Sequence, residues 1–194
     1  MIEKEPAKVL IVSGSEKGAE YLLSIFSPPL FDSPCVTNNA GEAKRRMTQA
    51  EYDIVVINAP LKDEFGTSFA SDVAENTYSG VMMLIKSDIF EQVSCELEEL
   101  GIFTISKPTN ALLVYSASRL CLATRARLLR AEKKNESLLN KMEEIRLVNR
   151  AKLLLIQNLG VSEAEAHRLI EKQAMDMRQS KRDICTRLIR TYEN

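Results

Sequence analysis

Five short apolar runs recur through the first 110 residues at spacings of 20–28 residues, and no other feature limits the fold of this chain so tightly. Lys8-Val9-Leu10-Ile11-Val12 is rich in β-branched residues and ends at Ser13-Gly14-Ser15, the pattern of a buried strand followed by a turn. Asp53–Asn58 (closed by Ala59-Pro60), Gly80–Ile85 and Ile102–Ile105 (stopped by Lys107-Pro108) read the same way, and Phe31–Thr37 is a weaker strand. Between the runs, residues 16–26 set Ala19, Leu22, Leu23 and Phe26 at helical spacing before Pro28-Pro29, and helices are expected at 40–49, 66–76 and 88–99. Strands alternating with helices imply parallel pairing through right-handed crossovers. The expected body is a doubly wound α/β domain with a five-stranded parallel sheet, its chemistry lying at the C-terminal strand ends. No glycine-rich phosphate loop follows any strand, so nucleotide binding has little support.

After Asn110 the pattern changes. Residues 109–158 contain neither glycine nor proline, and their apolar positions follow a helical period. Leu128, Ala131, Asn135, Leu138, Met142, Ile145 and Asn149 alternate spacings of three and four, a heptad seam with Leu128, Asn135, Met142 and Asn149 at position a. A buried asparagine at that position costs stability but is satisfied by its twin in a parallel two-stranded coil, where it sets register and strand number. This seam predicts a parallel homodimer; the alternative is a helix packed on its own domain with both asparagines solvated. Gly160 should end the helix with a left-handed cap. Ser162 and Glu165 form a Ser-x-x-Glu capping box that starts a second helix, packed through Ala166, Leu169, Ile170, Gln173 and Ala174. A third helix is expected from Ser180, with Asp183 as its acidic partner and Ile184, Leu188 and Ile189 facing inward.

Charge divides along the same line. The formal net charge of -1 over 194 residues hides 9 Lys+Arg against 17 Asp+Glu in residues 1–118 (net -8) and 17 against 10 in residues 119–194 (net +7). A basic half suits a polyanionic partner. No run of 18 apolar residues exists, and Met1-Ile2-Glu3-Lys4-Glu5-Pro6 lacks the layout of a secretion signal. Cys35, Cys95, Cys121 and Cys185 lie far apart and read as reduced thiols, not a disulfide frame or zinc site. With His167 as the one histidine, a His-rich metal centre or a Ser/His/Asp triad has no basis. The expectation is a cytoplasmic protein with no cofactor, no metal, no membrane contact and no catalytic residues.

The order of elements in residues 7–118 resembles the receiver domain of bacterial response regulators. The resemblance rests on the third strand, the Ala59-Pro60-Leu61 turn with Gly66 beyond it, and Ser106-Lys107-Pro108 at the end of the fifth strand. It implies an acid pair after the first strand to hold Mg²⁺, a phosphate-accepting aspartate ending the third, a Thr or Ser ending the fourth and a Lys ending the fifth. Ser13-Gly14 stand in place of the acids, Asn58 in place of the acceptor, and Ile85 in place of the hydroxyl, give or take a residue; only Lys107 matches. Mg²⁺ wants oxygen ligands, usually carboxylates, and an amide is no nucleophile for phosphoryl transfer. Lys107 can then only donate a hydrogen bond to the Asn58 carbonyl. The domain therefore reads as a pseudo-receiver. Asp53 lies at the wrong end of its strand to substitute, and Asp63 and Glu64 lie in the following loop. Such a domain could bind a protein regulator through its fourth and fifth helices, or simply support a dimer.

Residues 145–190 resemble the ANTAR output domain, a three-helix RNA-binding module of bacterial transcription antiterminators. The likeness is carried by Ala151–Leu155, Ser162–Ile170 and Lys172–Arg178. Departures are His167 where an aromatic residue is usual, Leu153-Leu154 for a Gly-hydrophobic pair, and Ile184-Cys185 for a hydrophobic-Ala pair. Independently, Arg150, Lys152, Arg168, Lys172, Arg178, Lys181 and Arg182 crowd 33 residues. Arg168 and Lys172 share a helix face, and Lys181-Arg182 open a helix whose amides favour phosphate. Phosphate contacts would make affinity salt-dependent, and base reading would need splayed loop bases. His167 could stack on such a base or pack in the bundle.

The domain reading is thus a receiver-like (flavodoxin-like) domain over 1–118, a coiled-coil helix over 119–149 and an all-α ANTAR domain over 150–194. The resemblance implies that each copy of a dimer binds stem-loops in a leader transcript and so prevents a terminator hairpin from forming. A protein adaptor using the same basic helices is the alternative. DNA binding is disfavoured because the third helix lacks an Asn/Gln/Arg cluster for groove reading.

Overall fold

The computed structural model describes residues 5–193. Strands β1 (Val9–Ser13), β2 (Cys35–Thr37), β3 (Ile54–Asn58), β4 (Gly80–Lys86) and β5 (Phe103–Lys107) alternate with helices α1 (Glu16–Ile25), α2 (Ala40–Gln49), α3 (Thr67–Asn76) and α4 (Phe90–Glu99). Helix α5 (Ala111–Leu159) follows, then α6 (Glu163–Met177) and α7 (Lys181–Glu193). The five strands form one parallel sheet in the order β2-β1-β3-β4-β5, as the alternation requires.

The sheet is buried on both faces, which is why its strands read as apolar runs rather than alternating ones. One face carries Leu10, Val12, Val55, Ile57, Met83 and Ile85 against Ala43, Phe69, Val73 and Leu97 of α2, α3 and α4. The other carries Val9, Ile11, Ile54, Val56, Met82, Leu84 and Ile105 against Leu22 and Phe26 of α1 and Val114 and Cys121 of α5. Among the boundaries that differ from expectation, two bear on the core and the site. Phe31 lies outside β2; it makes an isolated parallel bridge with Ala7, and its ring meets that of Phe26 edge-on at 4.9 Å in the core. β5 runs past Ile105 to Lys107, because the ladder with β4 continues to the Lys86–Lys107 pair.

The chain divides into two compact units, with the break between Arg130 and Ala131 inside α5. The second unit has its own small core of Ala151, Leu155, Ala166, Ile170, Ile184 and Cys185. Its helix ends are specified locally, as the sequence predicts. Gly160, at φ +67°, ends α5 and donates its N–H to the Ile156 carbonyl at 3.0 Å. The Ser162–Glu165 capping box opens α6. The Ser180 hydroxyl oxygen accepts the Asp183 N–H at 3.1 Å to open α7.

Candidate functional site

β1, β3 and β5 end together on one edge of the sheet, and their last residues meet there. Ser13 and Asn58 are register partners. Side chains alternate across a strand, so Asn58 follows Ile54 and Val56 onto the face beneath α1 and α5, and Lys107 follows Phe103 and Ile105. The Asn58 amide donates to the Ser13 hydroxyl oxygen at 3.0 Å, and the Lys107 ammonium donates to the Asn58 side-chain carbonyl at 2.9 Å and to the Ala59 backbone carbonyl. Ser13 in turn donates to the Ser15 carbonyl at 2.8 Å. Every partner of Lys107 is therefore a neutral oxygen. Burial, and then the neighbouring Lys86 charge, holds the Lys107 pKa below the ordinary lysine value. Gly18 lets α1 approach this group: a Cβ there would stand 2.2 Å from the Asn58 amide nitrogen. At Gly14 a Cβ would stand 2.6 Å from the Pro60 carbonyl oxygen.

Ile85 does not belong to this site. Its side chain points to the opposite face, fully buried with Val55, Ile57 and Met83. The residue in register with Lys107 is Lys86, so β4 ends in a second cation. The three acids that the sequence offers as substitute acceptors, Asp63, Glu64 and Asp53, have structural partners. Asp63 accepts the Ala40 and Gly41 N–H groups at 2.9 and 3.1 Å, which holds its carboxyl below its ordinary value, and Glu64 accepts the Phe69 N–H at 3.1 Å. Asp53 accepts the Lys8 N–H at 2.8 Å and pairs with Arg125 at 2.8 Å.

The basic candidates of the second unit fall into two groups. Arg150 pairs with Glu193 at 2.7 Å, Lys152 with Glu163 at 2.7 Å, Lys181 with Glu171 at 2.7 Å and Arg182 with Glu143 at 2.8 Å. Glu171 also lies 3.4 Å from His167 Nε2. These contacts hold the Glu163 and Glu171 carboxyls below their ordinary values and raise Arg150 and Lys181. Among the described residues, Arg168, Lys172 and Arg178 have no such carboxylate partner; all three are exposed or partly so, the first two on one face of α6. Arg178 ends α6 in the left-handed region at φ 52°. His167 is exposed rather than packed in the core, which uses Ala166 and Ile170 instead.

Sequence reasoning missed Lys86, because one residue of strand register decides which side chain reaches the site. It also missed the glutamates. Glu171, four residues from His167, was open to inspection, whereas Glu193 reaches Arg150 only through packing of α7 on α5. The proposed seam residues Leu128, Leu138, Met142 and Ile145 are each 50–60% exposed, and Asn135 and Asn149 are exposed beside them or nearly so.

Residues 136–189 match the family model of the ANTAR domain. The first unit is similar to solved receiver domains. One is the signal receiver domain of an HD domain-containing protein from Pseudomonas fluorescens Pf-5, with TM-score 0.59 and 18% identity over 66% of this chain and 94% of that one. Another is the signal receiver domain of a putative LuxO repressor protein from Vibrio parahaemolyticus, with TM-score 0.59 and 16% identity over 66% and 98%. Adenylate cyclase from Rhodopirellula baltica is similar at TM-score 0.61 and 12% identity over 68% and 98%. No curated protein matches the chain in sequence. The chain thus joins a unit with the fold of those receiver domains to a helical segment, residues 136–189, that matches the ANTAR family model.

The Mg²⁺ that a working receiver holds does not fit here. The corresponding atoms are a hydroxyl, an amide and an ammonium, which offer a divalent cation no negative charge. No helix of the described residues is long and apolar enough to cross a membrane.

Proposed function

We propose that this protein is a non-enzymatic, RNA-binding antitermination regulator of the cytoplasm whose receiver-like domain is not phosphorylated. The reading is carried by the ANTAR match, within which Arg168 and Lys172, on one face of α6, have no carboxylate partner among the described residues. Unpaired cations can neutralise phosphates without first giving up a protein partner, so these two, with Arg178, form the primary contact. Arg150, Lys152, Lys181 and Arg182 join by exchanging a glutamate for phosphate, and His167 is placed to stack on a loop base. The functional partition is receiver-like 1–118, coil 119–149 and RNA-binding 150–194.

The exposed stripe of Leu128, Leu138, Met142 and Ile145, with Asn135 and Asn149 at its polar positions, forms a parallel homodimer through a coiled coil. Two output domains on one coil grip two stem-loops of a leader transcript, the second at high effective concentration, and the terminator hairpin is excluded. Control comes from a protein regulator on the receiver-like domain, or from the oligomeric state.

Recovery of bound transcripts tests this directly. Wild type should enrich leader stem-loops, and Arg168→Ala/Lys172→Ala should lose at least about tenfold in hairpin affinity with a shallower salt dependence. Equal recovery by both proteins would refute the assignment. Binding that ignores loop sequence and vanishes at modest salt would instead point to an adaptor for acidic proteins. Acetyl phosphate should add no mass to the protein.

A further inference from the structure

The ends of β1, β3 and β5 border a cleft of about 630 Å³, within the range of small-molecule sites. Its walls include Lys17, Gly18, Tyr21 and Leu22 of α1, Asn58 with Ala59 and Pro60, Leu84, and Lys107 with Pro108 and Thr109. Among the described residues, no acidic side chain lines it. In an active receiver the corresponding lysine faces carboxylates; here Lys107 is half-buried and bonded only to neutral carbonyls, with the Lys86 charge beside it. A half-buried cation without a counter-charge raises the local potential, and that favours an anion entering the cleft. The first turn of α1 adds its dipole, and the Thr109 hydroxyl is buried without a hydrogen-bond partner. Much of the remaining lining is apolar, including Leu22, Leu84, Pro108 and the partly exposed Tyr21 ring, whose hydroxyl donates to the Thr109 carbonyl at 3.4 Å. A metal cation would meet Lys107 head-on, and a neutral ligand would leave its charge unanswered.

We propose that this cleft binds a small organic anion, its oxyanion head at the Lys107 ammonium and its apolar body against Tyr21, Leu22, Leu84 and Pro108. The loss of the acceptor carboxylate thus converts a covalent phosphorylation pocket into a reversible ligand site. The site does not depend on what the C-terminal unit binds. Its occupant bridges α1 and the end of β5, immediately before α5 begins.

Isothermal titration of the full-length protein with sodium benzoate and sodium phosphate, against sodium chloride at matched ionic strength, reads this out. Benzoate should bind saturably at one site per chain, and sodium chloride should not. Lys107→Gln should weaken benzoate about tenfold or more, the scale of one hydrogen bond to a charged group. Asn58→Asp places a carboxylate where the 2.9 Å contact to Lys107 already exists, so it should abolish binding while circular dichroism stays unchanged. Phosphate binding without benzoate binding would overturn the apolar half of the proposal. No saturable heat from either salt, or equal affinity in wild type and both variants, would overturn all of it.

Discussion

The two units of this chain place polar groups in opposite ways. In the receiver fold, Ser13, Asn58 and Lys107 lie 45 and 49 residues apart and meet only because three parallel strands end together. Ser13 is buried and the other two are partly buried on a sheet covered by helices on both faces, so each needs a partner of matching hydrogen-bonding character. In the helical unit most of the cations lie at the surface, and four are paired with glutamates. Such pairs contribute little and exchange readily for other anions. A buried constellation loses its chemistry when one member changes, whereas an exposed cluster keeps a graded affinity. The cores differ in the same sense: two extensive clusters hold the sheet, and six buried residues hold the helical unit.

Truncations in the two cores should separate the units most strongly. Ile170→Ala removes a fully buried side chain and should cost about 2–5 kcal/mol. Spread over so small a core, that loss should unfold the helical unit, seen as lost hairpin binding and lost protease resistance after residue 131, while the sheet domain still melts cooperatively. Ile57→Ala should cost a similar amount yet leave its domain folded at 25 °C, on the order of a mesophile domain's margin. If Ile57→Ala were the more disruptive, the contrast would be wrong. Next in size, Gly18→Ala pushes a methyl into the Asn58 amide and should cost about 1–3 kcal/mol by denaturant melt of the sheet domain, despite alanine's better helix propensity. Ser162→Ala, which removes the α6 cap, should cost about 1 kcal/mol in the helical unit alone.

Smaller effects sharpen the surface side of the comparison. Glu171→Gln frees Lys181 and His167, and hairpin affinity should rise about twofold at low salt, with no gain at high salt. The smallest effect is pH-dependent. Glu163, Glu165 and Glu171 all have folded-state pKa values below the ordinary 4.5, through Lys152, the Ser162 N–H and Lys181 respectively. Their stabilisation is present above that value and is lost as pH falls through the lower folded ones, so the thermal midpoint of the helical unit should decline on acidification from pH 5 to pH 3, roughly the span that linkage sets. The sheet domain should show less of this decline, its contribution coming from Asp63, which the Ala40 and Gly41 N–H groups hold below its ordinary value.

Local and periodic features are legible in the chain itself. Strand positions, the turn at Gly160, the Ser162 box and the missing carboxylates at Ser13-Gly14 and Asn58 follow from residue type and spacing, because a cap, a turn or an apolar run is specified by neighbours within a few positions. Ile85 shows the limit. The side-chain period of a strand is two, so a shift of one residue exchanges a buried isoleucine for an exposed lysine, and pairing with β3 and β5 sets that register. The partners of Arg150 and Arg182 lie 43 and 39 residues away. The sequence by itself determined that Ser13, Gly14 and Asn58 bring no carboxylate to the strand ends, since that is written in the identity of single residues. Tertiary structure decided which cations are paired among the described residues and that Lys107 donates to neutral oxygens there, because charge compensation depends on distance in space rather than along the chain.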